Sequence, residues 1–203
     1  MIVSNWLSNN YIEVFGAITG IIYVFLEIRQ TIWLWPIGII TSAVYIWVFF
    51  TGKLYADMSL QVYYLVISCL GWYWWAKGTG QQEEEGELFV TRLDLKTGLV
   101  LAAVFSVLFI VMWFILDRLT DSPVPGWDSF ITSLSIVATW MLARKIYEHW
   151  LLWIVVNSVA VVLFLSRGLY PTVILYVVYG IMSFIGLTAW KKTIRTELSI
   201  SKK

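Results

Sequence analysis

Cysteine, histidine and charged residues are all scarce in this sequence. Cys69 is the single cysteine and His149 the single histidine among 203 residues. These counts exclude a disulfide framework and a metal site built on cysteine. Charged residues make up 13% of the chain, whereas a soluble domain has about 25%. The net charge of +1 gives no reason to expect a nucleic-acid partner.

Basic residues are absent from the first part of the chain, where Arg29 is the first Lys or Arg. A secretory signal peptide opens with basic residues and ends at a small-residue cleavage site. Neither feature is evident before Arg29. We therefore expect the N-terminal apolar segment to be a retained first membrane span.

What the chain has instead is apolar sequence in long runs. Hydrophobic residues make up 60% of it, the mean hydropathy is +0.78, and the runs approach the roughly 20 residues that cross a bilayer as a helix. Barrel strands need only about ten residues and alternate in polarity, so helices are predicted. The predicted fold is an all-α integral membrane protein with seven transmembrane helices. The predicted spans are about Tyr11–Leu26, Ile32–Phe50, Tyr55–Ala76, Thr97–Leu116, Ser129–Ala143, Trp150–Leu165 and Tyr170–Ala189.

The sequence also repeats itself without a gap at a shift of 115 residues. Residues 11–77 are identical to residues 126–192 at 16 of 67 positions, and the matches include rare types, such as Trp35 on Trp150. Repeated transmembrane units are typical of transporters.

The repeat predicts a 3+1+3 organisation. A unit of three spans followed by one extra span returns the second unit in the same orientation. The two repeats are therefore expected to be parallel, related by an axis along the membrane normal, as in the SWEET class. The predicted segments are a first three-helix repeat (11–77), a cytoplasmic loop (78–96), a linker transmembrane helix (97–117), a second three-helix repeat (126–192) and a cytoplasmic tail (193–203). The linker helix is expected to pack outside the pore.

Lys and Arg predict the orientation in the membrane, because they are concentrated in cytoplasmic segments. Three lie on the N-terminal side of the predicted spans: Lys53, Arg118 and Arg167. Eleven lie on the other side: Arg29, Lys77, Arg92, Lys96, Arg144, Lys145, Lys191, Lys192, Arg195, Lys202 and Lys203. The N-terminus is therefore predicted outside and the C-terminus inside. Nine Trp residues at or near the cytoplasmic ends are expected to form mostly an aromatic belt: Trp33, Trp35, Trp72, Trp74, Trp75, Trp140, Trp150, Trp153 and Trp190.

Acidic residues avoid the middle of the predicted spans. Glu13, Asp57 and Asp128 are near outer ends, and Glu27 is near an inner end. A proton-driven transporter usually has a carboxylate at mid-membrane, so passive facilitation is favoured. No HExxH motif or paired carboxylates occur, so we expect no enzyme activity, no cofactor and no metal site. His149 is expected at the membrane interface.

Neutral polar and aromatic residues form stripes at helical spacing, i, i+3, i+7. The stripes are Gln61, Tyr64 and Ser68 on the third span, Trp150, Trp153 and Asn157 on the sixth, and Tyr176, Tyr179 and Ser183 on the seventh; Ser42 is the repeat counterpart of Asn157. Together they predict a water-accessible cavity without a fixed charge. Such a cavity suits a small aromatic cation with polar substituents, because ring faces stabilise cations. Ser68 and Ser183 are interpreted as residues that hydrogen-bond helices together.

Four stretches of the sequence resemble the PnuC family of bacterial vitamin transporters: WPIGIITSAVYIWVFF (35–50), LYADMSLQVYYLVISCLGWYWW (54–75), WDSFITSLSIVATWMLARK (127–145) and WLLWIVVNSVAVVLF (150–164). The resemblance implies a SWEET-like pair of three-helix units, a homotrimer and facilitated uptake across the bacterial inner membrane. It implies nicotinamide riboside as the substrate, trapped inside by phosphorylation, with an intracellular vitamin kinase as a functional partner. The family's Trp-x-x-Trp-x-x-x-Asn pattern falls on Trp150, Trp153 and Asn157, and its third-span Gln falls on Gln61.

Other functions remain open at this stage. Related branches carry thiamine or, less often, a flavin, and thiamine is an aromatic cation like nicotinamide riboside. A small membrane receptor or assembly subunit without transport activity is the alternative from a different class. The internal repeat favours transport, because parallel halves suit alternating access.

Overall fold

The chain is all α-helical in the part that the structure, a computed structural model, describes: residues 11–52, 55–77, 88–120 and 122–200. Seven helices lie in these ranges, as predicted. They are α1 (Tyr11–Ile28), α2 (Leu34–Thr51), α3 (Tyr55–Lys77), α4 (Leu95–Leu119), α5 (Pro125–Ala143), α6 (His149–Ser166) and α7 (Tyr170–Ile200). Residues 78–87 of the predicted cytoplasmic loop and residues 201–203 of the predicted tail lie outside the described residues.

Most predicted boundaries agree with the helices to within a few residues, but α7 is much longer than its predicted span. The predicted span ends at Ala189 because Lys191 and Lys192 follow, whereas α7 continues to Ile200. Hydropathy marks where a helix leaves the bilayer, not where it ends, because Lys, Arg and Glu are themselves good helix formers. The segment predicted as a cytoplasmic tail from residue 193 is therefore helical up to residue 200.

Within the described ranges, four helices are long and apolar enough to cross a membrane. They are α2, α4, α6, and α7 over Tyr170–Ile194. In α1 the apolar part is shorter, Val14–Ile28. Polar side chains such as Gln61 in α3 and Ser133 in α5 lower the hydropathy of those two helices.

Two compact units make up the chain, Met1–Gly86 and Glu87–Lys203. In the first unit α2 packs against both α1 and α3. In the second unit α5 packs against α4 and α6, and α6 packs against α7. The second unit therefore includes α4, the predicted linker helix, as well as the three helices of the predicted second repeat.

The loop between α1 and α2 has the same backbone geometry as the loop between α5 and α6. Gln30 and Lys145, which are 115 residues apart, both have a positive φ, 54° and 51°. Each helix closes with a hydrogen bond from an N–H group to the carbonyl oxygen five residues earlier: Thr31 to Leu26 (3.0 Å) and Ile146 to Met141 (2.9 Å). This pattern is the Schellman motif, in which a residue after the helix adopts the left-handed conformation. The sequence repeat thus extends to local backbone structure.

A Trp–Gly contact recurs in both units. A Cβ atom on Gly71 would collide with the Trp35 ring, and one on Gly186 would collide with the Trp150 ring. The absence of a side chain lets each indole lie directly on the neighbouring helix. Each ring also meets a second Trp nearly edge-on: Trp35 meets Trp75 at 5.4 Å and Trp150 meets Trp190 at 6.0 Å.

These contacts correct the aromatic-belt prediction for part of its members. Trp33 is 67% exposed and fits a belt, but Trp35, Trp75, Trp150 and Trp190 are buried. The sequence places each Trp near a helix end, but contacts with neighbouring helices determine whether its ring is buried. For Trp35 and Trp150 the contact is a glycine. His149 is also fully buried, with its ring 4.8 Å from both Trp150 and Trp190, so it is not an exposed interfacial residue.

A short extended segment, residues 88–94, joins the start of α4 to the loop between α5 and α6. Thr91 and Ile146 form a parallel bridge, and the Leu93 N–H donates to the Glu148 carboxylate at 2.9 Å. Asp94 caps α4 by accepting a hydrogen bond from the Thr97 N–H at 2.9 Å. Hydrogen bonds from the Thr97 side chain and N–H lower the pKa of Asp94, because they stabilise its charged form.

Candidate functional site

The eight predicted site residues are divided between the two units. Ser42, Gln61 and Tyr64 lie in the first unit, on α2 and α3. Five lie in the second unit, on α6 and α7: Trp150, Trp153, Asn157, Tyr176 and Tyr179. Within each unit the helices that carry these residues pack against each other.

Asn157 is the most clearly positioned polar residue in the second unit. It is 5% exposed, and its side-chain N–H group donates to the Ser183 hydroxyl on α7 at 3.2 Å. Ser183 in turn donates to the Tyr179 carbonyl oxygen at 2.8 Å. This chain of hydrogen bonds fixes the orientation of the amide. Ser183 was interpreted as a residue that joins helices, and its hydroxyl does bridge α6 and α7.

Trp153 lies one turn before Asn157 on α6 and is partly buried. Its indole Nε1 is buried and has no hydrogen-bond partner among the described residues. Buried N–H groups are nearly always paired in proteins, so this donor is a candidate for binding something that the chain itself does not supply.

Trp150, the first residue of the same stripe, has different surroundings. It is 1% exposed and packs against Gly186, His149 and Trp190. Its Nε1 also lacks a partner among the described residues, but its ring faces are covered by protein. A role in substrate binding remains a prediction, and the packing gives Trp150 a structural role in any case.

Tyr176 and Tyr179 lie one turn apart on α7 with their rings perpendicular, at 5.9 Å between centroids. The Phe164 ring from α6 lies 5.2 Å from Tyr176. Both tyrosines are partly buried. This aromatic group extends the polar pair of Asn157 and Ser183 along α7.

In the first unit, Ser42 is 4% exposed, and Gln61 and Tyr64 are partly buried. The Tyr63 ring lies 5.5 Å from the Tyr64 ring. Ser42 occupies the repeat position of Asn157 but is shorter and has no amide. The polar groups of the two units are therefore related by the repeat without being chemically identical.

Sequence reasoning gave no role to two residues of α1 that the structure brings into this polar region of the first unit. The Tyr23 ring lies against the backbone of α2 at Gly38. Glu27, one turn further along α1, is 2% exposed. Among the Asp, Glu, Lys and Arg side chains whose burial the structure describes, it is the one that is buried. The signal in the sequence was the i, i+4 spacing of the two residues, but only packing shows which face of α1 is covered.

Among the described residues, no group of three His, Cys, Asp or Glu side chains is placed to hold a metal ion.

The sequence matches the profile of the family described as nicotinamide mononucleotide transporter over residues 10–192. The chain belongs to this family. It is therefore a multi-pass membrane transporter.

Relatives of the chain include proteins with different cargo. It is 28% identical to the nicotinamide riboside transporter PnuC of Escherichia coli, over 92% of this chain and 87% of that protein. It is also 28% identical to the riboflavin/roseoflavin transporter RibM of Streptomyces davaonensis, over 92% of each chain. The structure resembles the crystal structure of the vitamin B3 transporter PnuC, with a TM-score of 0.74, 26% identity, and coverage of 96% of this chain and 86% of that one. The PnuC resemblance is thereby confirmed, as is the prediction of a transporter and not an enzyme.

Proposed function

We propose that this transporter takes up nicotinamide riboside. The observation that carries the proposal is the pair of buried donors on α6, the unpartnered Trp153 indole N–H and the Asn157 amide that Ser183 holds in place. The carboxamide oxygen and ribose hydroxyls of nicotinamide riboside are the acceptors that such donors need. The similarity to a named nicotinamide riboside transporter over most of both chains supports the same substrate.

The aromatic side chains suit the other half of this ligand. Its nicotinamide ring is a flat cation, and a cation over the face of Trp or Tyr is stabilised by about 0.5–2 kcal/mol per ring. In the second unit Trp153, Tyr176 and Tyr179 offer partly buried rings. In the first unit Gln61 and Tyr64 offer an amide and a phenol, and Ser42 a hydroxyl.

Riboflavin is the second candidate substrate, because a riboflavin transporter is as similar to this chain as the nicotinamide riboside transporter is. Its ring system is flat and rich in hydrogen-bonding groups but carries no positive charge. The proposal that thiamine is the substrate rests on the sequence resemblance alone. A non-transporting receptor has no support, since the relatives are named as transporters.

The transport mechanism proposed is facilitated diffusion with alternating access, by two parallel three-helix repeats joined by α4. The matching loops at Gln30 and Lys145 support the repeat. The excess of Lys and Arg on one side supports an external N-terminus and a cytoplasmic C-terminus in the bacterial inner membrane. An intracellular vitamin kinase would trap the imported nicotinamide riboside by phosphorylation. The family resemblance favours a homotrimer.

Replacing Asn157 with Leu tests the substrate and the site together. The change leaves a polar group of the bound ligand without its partner, at a cost of about 1–3 kcal/mol. We expect the affinity for nicotinamide riboside, measured by calorimetry on purified protein, to fall about tenfold or more, and liposome uptake to fall with it. Trp153→Ala should lose about 1–2 kcal/mol through the missing ring face.

Ser158→Leu is the matched control, because Ser158 is the next residue of α6 and is exposed. It should retain wild-type affinity. Riboflavin and thiamine serve as competing ligands, and tighter binding of either would identify a different substrate. Wild-type affinity in well-folded Asn157→Leu protein would show that the ligand binds elsewhere.

A further inference from the structure

Tyr23 and Gly38 form an unusually close contact between α1 and α2. A Cβ atom on Gly38 would lie 3.1 Å from Tyr23 Cε2 and 2.8 Å from the Ser68 Oγ. The Tyr23 ring therefore lies where a side chain at position 38 would begin. A side chain at position 38 would require Tyr23 and Ser68 to shift.

At the repeat counterparts of these two residues, the large and the small side chain occupy the opposite positions. Position 38 corresponds to Trp153, and position 23 corresponds to Ala138, which is fully buried. In the first unit the large ring comes from the first helix of the repeat and lies over a glycine. In the second unit the large ring comes from the second helix, and alanine replaces the tyrosine. Between the two units the aromatic residue thus changes from the first helix of the repeat to the second, and the small residue changes in the opposite direction.

A second pair shows the same exchange with a different consequence. A Cβ atom on Gly16 would collide with the Tyr45 hydroxyl, and the counterparts of these residues are Ile131 and Ala160. The Tyr45 hydroxyl donates to the Ile12 carbonyl oxygen of α1 at 3.3 Å. In the second unit the large side chain of this pair is Ile131, the counterpart of Gly16. The contact therefore requires bulk and not an aromatic or polar group.

Tyr23 has different neighbours from Tyr45. Ser68, which lies beside Gly38, is the counterpart of Ser183, the residue that holds Asn157. The phenol of Tyr64, a predicted site residue, lies within electrostatic range of the Tyr23 phenol. Tyr23 thus lies near Ser68 and Tyr64, the first-unit counterparts of Ser183 and Tyr179.

We propose that Tyr23 is a substrate-contacting residue, and that its ring does in the first unit what Trp153 does in the second. The inference rests on the proposed function and adds a contact from α1, a helix that supplied none of the eight predicted site residues. Tyr23 offers an aromatic face and a hydroxyl.

The aromatic face of Tyr23 indicates which ligands this contact prefers. The face of an aromatic ring carries partial negative charge and attracts a cation within about 6 Å of its centre. It therefore favours a positively charged ligand over a neutral one of the same shape. Tyr23 should therefore contribute more to binding a pyridinium nucleoside than to binding its neutral phenyl analogue.

Calorimetry with nicotinamide riboside on Tyr23→Leu and Tyr45→Leu protein tests the proposal. Both changes replace a tyrosine that contacts a glycine in the first unit, and leucine retains much of the bulk. Tyr23→Leu should weaken binding about tenfold, and Tyr45→Leu less than twofold. Tyr23→Phe keeps the ring and should lose less than Tyr23→Leu. In Tyr23→Leu the preference for nicotinamide riboside over its neutral phenyl analogue should also fall.

The outcomes separate this inference from the proposed function. Wild-type affinity in folded Tyr23→Leu protein would overturn the contact while leaving the function intact. Equal losses in the Tyr23 and Tyr45 variants would overturn it too, since the cause would then be packing. If Tyr23→Leu does not fold, Tyr23→Met removes the ring while it retains bulk, and wild-type affinity with an unchanged preference over the neutral analogue in that variant would overturn the contact. Failure of the wild-type protein to bind nicotinamide riboside would overturn the proposed function and this inference together.

Discussion

Trp150 and Trp153 lie one turn apart on α6 but differ in what surrounds them. Trp150 is 1% exposed and lies on Gly186, so its position depends on a missing side chain on α7. Trp153 is only partly buried, and its buried indole nitrogen has no partner among the described residues. At the scale of single residues, the same type of side chain is therefore fully packed between helices at position 150 and only partly covered one turn later, at position 153.

Gly186→Ala should destabilise the protein. The new Cβ would collide with the buried Trp150 ring, and overpacking of this kind costs about 1–3 kcal/mol. We expect a lower unfolding temperature in detergent, measured by scanning fluorimetry. Gly71→Ala should have a similar effect through Trp35, because the same contact recurs in the first unit.

Gly180→Ala is the control on the same helix. The nearest atom to its Cβ would be the Asn157 Cβ at 3.8 Å, an ordinary contact, and alanine is the better helix former. This variant should unfold at or above the wild-type temperature. If Gly186→Ala were equally stable, the Trp150 contact would not constrain the two helices.

At the scale of elements, the segment before α4 is attached to the loop between α5 and α6. The Thr91 N–H donates to the Lys145 carbonyl oxygen at 3.0 Å, and the Tyr147 N–H donates to the Thr91 carbonyl oxygen at 3.1 Å. Beside this bridge, Leu93 and residues of α4 pack against Val137, Met141 and Ile146. The linker helix is thus joined to the second repeat by both backbone and side-chain contacts.

Glu148 should hold this attachment together through its hydrogen bond with the Leu93 N–H. Glu148→Ala removes the acceptor, at a cost of about 1 kcal/mol for a partly exposed group. We expect faster hydrogen exchange at the Thr91 and Tyr147 amides. Glu148→Gln keeps an oxygen acceptor and should exchange almost as slowly as wild type. Equal exchange in the alanine variant would mean that the bridge is stable without Glu148.

At the scale of the whole molecule, the proposal of passive transport can be tested at the buried Glu27. Among the acidic side chains whose burial the structure describes, it is the one that is buried, so it is the carboxylate to test for proton coupling. We expect nicotinamide riboside to equilibrate across liposomes, without accumulation under a pH gradient. Uptake by Glu27→Gln protein should show the same independence of the gradient. Accumulation in wild type that disappears in Glu27→Gln would establish proton coupling instead.

The sequence by itself predicted the helices and the family, because both depend on local pattern. Apolar runs of bilayer length predicted seven helices, and the stretches around Asn157 and Gln61 predicted the PnuC resemblance. The gapless shift of 115 residues predicted that loops in the two halves would correspond, and Gln30 and Lys145 have the matching backbone conformation. Hydropathy did not predict that α7 continues as a helix to Ile200, beyond the apolar run.

Only the tertiary structure decided which side chains are covered, because burial depends on the residue across the helix contact. Nothing local distinguishes Trp150 from Trp153, or Trp75 from Trp33. Gly186 lies against the Trp150 ring, and the edge-on Trp35 ring lies against Trp75. Tyr23 escaped sequence reasoning for the same reason: its importance lies in Gly38, a residue 15 positions away on another helix. The 115-residue shift pairs each residue with its counterpart in the other half. It does not show which helix supplies the aromatic ring at a contact, because that depends on packing.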